Sequence, residues 1–107
     1  MPDATLPLNA LSDPSRRSIL ELLAHGGMSV SELLEHFGFS QPALSKHLRI
    51  LRDAGLVAQR RDGRRRLYRL EPLALKAVHD WVAHYEAFWN ERLDALGDVL
   101  DGMEDSE

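Results

Sequence analysis

The sequence of 107 residues contains no cysteine. This absence excludes disulfides, thiolate metal ligands, cysteine nucleophiles and thiol-based redox sensing. No apolar run exceeds a few residues, and no basic segment followed by an apolar one stands at the N-terminus, so we expect neither a membrane span nor a signal peptide. The expected location is the cytoplasm, with no membrane partner.

The sequence also lacks the common motifs of enzymes. It has no Gly-rich phosphate loop, no nucleophile elbow and no ligand cluster of the metalloenzyme type, so we expect no catalytic residues and no cofactor. A length of 107 residues corresponds to one domain over residues 1–107. Because so short a chain buries a small fraction of its surface alone, a partner subunit is expected.

Positive charge is concentrated in one segment of an acidic chain. The net charge is −4, yet nine of the thirteen Lys and Arg residues lie between Lys46 and Arg69, a stretch with only two acids. Residues 71–107 hold ten acids and two bases. Screening limits each charge to a range of roughly 8 to 10 Å, so the local field decides what the basic segment attracts. It is typical of a surface that binds duplex DNA.

The N-terminal third reads as an arm followed by helices. Residues 1–7 contain two prolines and are expected to form a loose arm, and a short first helix is expected from Leu8 to Leu11. The pair Asp13-Pro14 predicts the start of a second helix, because Asp accepts backbone N–H bonds as an N-cap and Pro loses none at the first helical position.

A helix-turn-helix is predicted over residues 29–54. Ser29 and Glu32 form a capping box that opens one short helix, and Ser40 caps the next helix after a turn containing Gly38. In that second helix the inward positions are predicted to be Leu44, His47, Leu48 and Leu51.

A wing is predicted over residues 56–70. Two basic strands flank Asp62-Gly63, a dipeptide that suits a two-residue type I′ turn because both central residues need positive φ. Strand neighbours alternate, so Arg64 and Arg66 are expected to share one face and Arg65 the other.

The last element is predicted to be one long dimerisation helix over residues 73–102. At 1.5 Å per residue it would run about 45 Å, longer than a small domain needs to cover its own core. Its aromatic stripe is best explained as a seam between two subunits, although a small-molecule pocket is the alternative. The predicted dimer interface consists of Leu8, Leu11, Trp81, Tyr85, Phe88, Trp89 and Leu96.

Several segments closely resemble the ArsR family of bacterial winged-helix repressors. The resemblance lies in Ala10 to Arg17, in Leu33-Leu34 with Ser40 to Leu48, and in Leu51 to Val57, and it continues through Arg61 to Arg64 and Tyr68 to Leu70. It implies a mainly α winged helix-turn-helix fold with a small β-hairpin in α-α-α-α-β-β-α order. It further implies a homodimer that binds an imperfect palindromic operator in its own promoter and leaves it when a signal arrives.

The metal sites of many ArsR relatives are not matched. Where some carry a thiolate motif, this sequence has serines in Met28 to Glu32, and the Asp-x-His start of another common site fails at Asp80-Trp81-Val82. The segment Tyr85 to Asp94 resembles a cysteine-free subgroup often encoded beside START-like carriers of small ligands or lipids. The resemblance therefore implies release by a small molecule or a protein, and no metal site is predicted.

The predicted DNA contacts come from the outer face of the recognition helix and from the wing. The N-terminal residues of such helices meet base edges, so Gln41 is the candidate for reading adenine, while Lys46 and Arg49 are expected to hold phosphates. A plain N-cap is the rival role of Ser40, and a charged edge strand is the rival reading of the arginines. The full set is Ser40, Gln41, Pro42, Ser45, Lys46, His47, Arg49, Arg52, Arg64, Arg65 and Arg66. His47 is included from the inward face, as a buried, hydrogen-bonded His beside the DNA backbone.

The hypothesis is thus a transcriptional repressor that binds double-stranded DNA as a dimer. Two alternatives stay open. One is a metal-responsive repressor that uses Asp80 and His84, which share a face of the last helix. The other is a protein-interaction module with the winged fold that does not bind DNA.

Overall fold

The computed structural model describes the backbone of residues 3–105 and the side chains of residues 3–100. These residues form a mainly helical fold with a small antiparallel sheet, as the sequence predicts. The order differs from the prediction by one extra strand and by a divided last helix. The elements are α1 (Thr5–Leu11), α2 (Pro14–Leu23), β1 (Met28–Ser29), α3 (Val30–His36), α4 (Gln41–Asp53), β2 (Val57–Asp62), β3 (Arg65–Leu70), α5 (Pro72–Ala83) and α6 (Glu86–Asp105).

The first helix begins earlier than predicted. Residues 1 and 2 of the expected arm lie outside the described residues, but helix α1 already begins at Thr5. The Asp3 carboxylate accepts hydrogen bonds from the Thr5 backbone N–H at 2.8 Å and from its hydroxyl at 2.6 Å. Pro7 lies in the first turn, where a missing N–H breaks no helical hydrogen bond, and its side chain is buried. The prolines therefore did not indicate a loose segment.

The predicted caps of α2 and α3 are confirmed. Asp13 accepts from the backbone N–H of Ser15 at 2.8 Å and of Arg16 at 3.1 Å. These bonds, the one from Arg16 first, hold the pKa of Asp13 below its usual value. The Ser29 hydroxyl accepts from the Glu32 N–H at 3.2 Å, and the Glu32 carboxylate accepts from the Ser29 N–H at 3.3 Å.

The inward face of α4 forms the centre of the core. Leu44, Leu48 and Leu51 are almost completely buried, together with Ile19 of α2 and Leu33 of α3. The helix ends in a Schellman motif, in which the Leu56 N–H donates to the Leu51 carbonyl at 3.0 Å and the Gly55 N–H donates to Arg52 at 2.9 Å. Gly55 has a φ of 76°, which the motif requires.

The sheet has the strand order β1-β3-β2 and is antiparallel throughout. The short strand β1 was not predicted, because two residues carry no alternating pattern. The hairpin turn is also shifted by one residue: Asp62 pairs with Arg65, so the central residues are Gly63 and Arg64. Of these two central residues, Gly63 has a positive φ of 63° and Arg64 does not, as a type II′ turn requires. The predicted type I′ turn on Asp62-Gly63 is therefore wrong.

The predicted helix over residues 73–102 is divided into α5 and α6. At the division the His84 N–H donates to Trp81 at 3.3 Å and the Tyr85 N–H donates to Val82 at 3.0 Å. These bonds span three residues instead of four and wind the backbone more tightly than an α-helix. No Pro or Gly lies at this point, so the break could not be predicted from residue types.

Helix α6 extends away from the core. The radius of gyration is 18.8 Å, against about 13 Å for a compact domain of this length, and the longest dimension is 64 Å. Among the described residues, no helix is apolar over a stretch long enough to cross a membrane.

The Schellman motif generates a prediction about stability. The Gly55→Ala variant should lose roughly 1 to 2 kcal/mol, because an L-residue is strained at positive φ. Steric overlap adds little, since the new methyl group would lie 3.6 Å from the Ala74 Cβ. Urea denaturation at one fixed protein concentration measures the loss. Gly38→Ala is the matched control, because Gly38 lacks positive φ and a Cβ there meets nothing within 4 Å. Equal stability of the two variants would contradict the prediction.

Candidate nucleic-acid interface

The burial of one side of α4 fixes which side chains the helix presents outward. Ser40 precedes the helix and its hydroxyl accepts from the Ala43 N–H at 3.3 Å, so its capping role is present. Gln41 and Pro42 begin the helix and are exposed. The structure thus brings the predicted contacts of this helix together on one exposed face, consisting of Ser40, Gln41, Pro42, Ser45, Lys46, Arg49 and Arg52.

Three aromatic rings connect α3 with α4. The Phe37 and Phe39 rings stack with their centroids 5.0 Å apart, and the Phe39 ring lies 5.4 Å from the imidazole of His47. His47 is only half-buried, unlike the leucines beside it. Its Nδ1 atom is buried and has no hydrogen-bond partner, so the hydrogen bond expected for a buried His is absent at that nitrogen. The structure supports a packing role for the His47 ring at the turn of the helix-turn-helix.

The register of the wing separates the three predicted arginines. Arg64 lies in the turn, so the expectation that Arg64 and Arg66 share one strand face is wrong. Arg66 is paired with Arg61 across the two strands, and both side chains are exposed. Arg65 belongs to the opposite face of the hairpin. The prediction failed because the turn is shifted by one residue, which moves Arg64 out of the strand.

Arg65 is held by the cap of α3. Its Nη2 atom donates to the Glu32 Oε1 atom at 3.2 Å, and the same carboxylate accepts from the Ser29 hydroxyl at 3.0 Å. The hydrogen bonds from Ser29, and then the nearby Arg65 charge, hold the pKa of Glu32 below its usual value. Arg65, a predicted DNA contact, is therefore already paired with the Glu32 carboxylate of the protein itself.

Two arginines that sequence reasoning gave no role connect α1 with α2. The Arg16 Nε atom donates to the Ala10 carbonyl at 2.6 Å and its Nη2 atom to the Asn9 carbonyl at 3.3 Å. The Arg17 Nη1 atom donates to the Leu11 carbonyl at 2.7 Å. These carbonyls belong to the last turn of α1, where the helix itself supplies few N–H partners. The Asn9 carbonyl also accepts from the Ser12 backbone N–H at 3.2 Å. The pair of adjacent arginines soon after a short helix was the one feature of the sequence that could have indicated the bonds from Arg16 and Arg17.

The apolar side chains of α5 and α6 face outward along much of their length. The exposed fraction is 47% for Trp81 and 56% for Phe88. The Trp81 and Tyr85 rings meet edge to face at 5.6 Å, and the Arg92 guanidinium lies 5.1 Å from the centroid of Phe88. Other large exposed side chains are Trp89, Leu93, Leu96, Val99 and Leu100.

Helix α1 contains two of the residues predicted for the dimer interface. Leu8 and Leu11 are half-buried, and Leu11 packs against the core of its own chain. Leu6, which was not predicted, is the large apolar side chain of α1 that is exposed.

Asp80, one of the two side chains considered for metal binding, is engaged within its own helix. The Asp80 carboxylate lies 3.2 Å from His79 Nδ1 and 3.4 Å from Lys76 Nζ. The hydrogen bond with His79, and then the Lys76 charge, lower the pKa of Asp80 from its usual value. Within the described part of the chain, no three His, Asp or Glu side chains are placed to hold a metal ion.

Comparison with known proteins agrees with this geometry. The family model of bacterial regulatory proteins of the arsR family matches residues 13–59, which include α2 to α4 and the start of β2. The chain is 40% identical to the HTH-type transcriptional regulator Rv2034 of Mycobacterium tuberculosis over 90% of its length and 87% of that protein. It is 38% identical to the transcriptional repressor SdpR of Bacillus subtilis over 71% of its length and 84% of that protein.

A solved structure shows the same arrangement. The homodimeric winged helix-turn-helix DNA-binding domain from Mycobacterium bovis superposes with a TM-score of 0.63 at 31% identity, over 76% of this chain and 78% of that one. The family model, the two relatives and the solved structure agree on one assignment. The chain belongs to the ArsR family of bacterial transcriptional regulators.

Proposed function

We propose that this protein is a dimeric, sequence-specific repressor of transcription that binds an imperfect palindrome in duplex DNA. The observation that carries the proposal is the exposed face of α4, where Gln41 and Ser45 near the N-terminal end are followed by Lys46, Arg49 and Arg52. A helix-turn-helix presents such a face to the major groove, with its N-terminal residues at the base edges. Repression is supported by the name of the SdpR relative.

The same geometry supports a division of roles on α4. Gln41 lies in the first turn, and its carboxamide can bond both N6 and N7 of adenine. Lys46 and Arg49 lie one to two turns farther along, where a recognition helix passes the DNA backbone. The protein would act by binding rather than by catalysis, and a regulator of this kind works in the cytoplasm.

The dimer is supported by the surface of the terminal helices. Up to residue 100, the large apolar side chains of α6 are about half exposed and follow one another along the helix, and an exposed apolar surface of this kind marks an interaction site. The Mycobacterium bovis domain of similar structure is homodimeric. Two subunits joined in this way place their recognition helices about 34 to 36 Å apart, one helical turn of DNA.

The signal that releases the protein from DNA is proposed to be a small molecule or a protein rather than a metal ion. The proposal is supported by the absence of cysteine from the sequence. It is further supported by the engagement of Asp80 with Lys76 and His79, which occupies the carboxylate that a metal would need. The aromatic side chains at the junction of α5 and α6 offer an apolar surface to a small ligand.

The first test compares two variants of the α4 face on two DNAs. Gln41→Ala should lose roughly 1 to 3 kcal/mol on a duplex selected from a random library and little on random duplex. Arg49→Ala should weaken binding to both duplexes and lower the slope of log K against log salt by about one. Fluorescence anisotropy over a series of salt concentrations measures both. Equal losses on both duplexes for Gln41→Ala would sink the base-reading role, and salt-independent or absent binding by the wild type would favour a protein-interaction module.

The second test concerns the dimer. The double variant Trp89→Ala/Leu96→Ala should weaken self-association roughly a thousandfold, because two central apolar contacts are worth on the order of 4 kcal/mol together. Sedimentation should then show monomers at micromolar concentration, with loss of specific DNA binding although no DNA-facing residue has changed. The control is Asn90→Ala/Glu91→Gln, on another side of α6. An intact dimer in the first variant would mean that the subunits meet elsewhere.

The third test concerns the releasing signal. Zinc, cadmium and arsenite should leave the affinity for the selected duplex within about twofold, well below the roughly 5- to 150-fold range of typical allosteric effectors. Anisotropy with each metal and with a chelator measures the effect. A tenfold or larger change that disappears in the Asp80→Ala/His84→Ala variant would show that these side chains form a regulatory metal site.

A further inference from the structure

Four of the six arginines of the wing form two groups that differ in their partners. Of the other two, Arg64 lies in the turn, and Arg60 shares the face of Arg65 but has no carboxylate oxygen of residues 3–100 within 4.0 Å. Residues on one face of an antiparallel hairpin alternate along each strand and lie opposite one another across the strands. The register therefore places Arg65 and Arg69 on one face, with Leu67 between them. Arg61 and Arg66 lie on the other face and are direct cross-strand partners.

The first group is paired with carboxylates of the protein. Arg65 Nη2 lies 3.2 Å from Glu32 Oε1, and Arg69 Nη2 lies 3.9 Å from Glu71 Oε2. Glu32 also completes the cap of α3, so the Arg65 contact joins the wing to the first helix of the helix-turn-helix. A guanidinium held in this way has lost part of its attraction for a phosphate.

The second group has no such partner. Neither Arg61 nor Arg66 lies within 4.0 Å of a carboxylate oxygen of residues 3–100, and both are exposed. Together with Gln59 and Arg60 they line an open recess of about 280 Å³. Like charges directly opposite on two strands destabilise a hairpin. A negatively charged ligand in the recess would reverse that effect.

The face that carries Arg61 and Arg66 is also the face that packs on the core. Nearer the base of the hairpin, Val57 and Tyr68 on this same face belong to the core cluster, to which α4 contributes Leu44 and Leu48. The two arginines therefore project from the core-facing side of the wing, beyond the part that is packed. A duplex bound to α4 would present its backbone to them.

We infer that Arg61 and Arg66 together bind one backbone phosphate of duplex DNA, and that Arg65 is a positioning residue that holds the wing on α3. This inference rests on the proposed function and assigns the wing's part in it. Guanidinium groups donate in a planar fork that matches phosphate oxygens, and the Gln59 carboxamide in the same recess supplies further N–H donors. The ligand is thus a phosphodiester, recognised by charge and not by base sequence.

The test separates DNA contact from wing positioning by two readouts. On random duplex, Arg61→Ala and Arg66→Ala should each weaken binding roughly tenfold, and the double variant should lower the salt slope by about one. Urea denaturation should find both variants at least as stable as the wild type, because the like-charge contact is relieved. Arg65→Ala should show the reverse pattern, with an unchanged salt slope and a lower urea midpoint that Arg65→Lys restores.

Glu32→Gln provides the matched control for Arg65. The amide keeps an acceptor for the cap of α3 but removes the charge that holds Arg65, so the salt slope should stay unchanged while the urea midpoint falls. A fall of the slope by about one in Arg65→Ala, with none in the Arg61→Ala/Arg66→Ala variant, would overturn the inference. Absence of salt-dependent binding by the wild type would instead overturn the proposed function itself.

Discussion

The packing of α4 into the core determines the rest of the molecule. Leu44, Leu48 and Leu51 are the largest buried side chains of that helix, and removing any of them from water contributes on the order of 2 kcal/mol. Rotation of α4 about its axis would expose these side chains, so the helix has one stable orientation. The polar side chains of the opposite face have no freedom to turn inward. The caps at Ser40 and Gly55 then fix where this face begins and ends.

The placement of charge along this chain matters more than its net charge. The chain has a net charge of −4, but the acids are concentrated after residue 70 and the bases before it. Two acids lie outside the basic segment but form ion pairs with it, Glu32 with Arg65 and Glu71 with Arg69. Each exposed pair of this kind contributes no more than about 1 kcal/mol of stability. Their larger effect is to decide which arginines remain available to an external anion.

The sequence predicted well where a local rule has a single outcome. The Asp13 and Ser29 caps, the leucine face of α4 and the end of the helix-turn-helix at residue 54 each follow from backbone hydrogen bonding or from helical periodicity, and each is confirmed. The hairpin was predicted from Asp62-Gly63, but two turn types accept a glycine at Gly63. The neighbouring register decided between them, and a dipeptide does not encode it.

The features that sequence reasoning missed depend on contacts between distant segments. The pairing of Arg65 with Glu32 joins residues 33 positions apart, and the Arg16 and Arg17 bonds to α1 depend on the angle between two helices. The break at His84 contains no residue that disfavours a helix. Apart from the half-buried His47, the predicted DNA contacts on α4 share one exposed face, and their role remains a prediction.

The bonds from Arg16 and Arg17 also determine how the molecule opens. Separating α1 from α2 would leave three carbonyls of the last turn of α1 without these donors, in addition to exposing Ala10. We therefore expect the two helices to exchange their amide hydrogens as one cooperative unit, and α6, whose described side chains lie outside the core, to open without disturbing that core. In the proposed dimer, contacts along α6 would protect the part of the described chain that its own fold protects least.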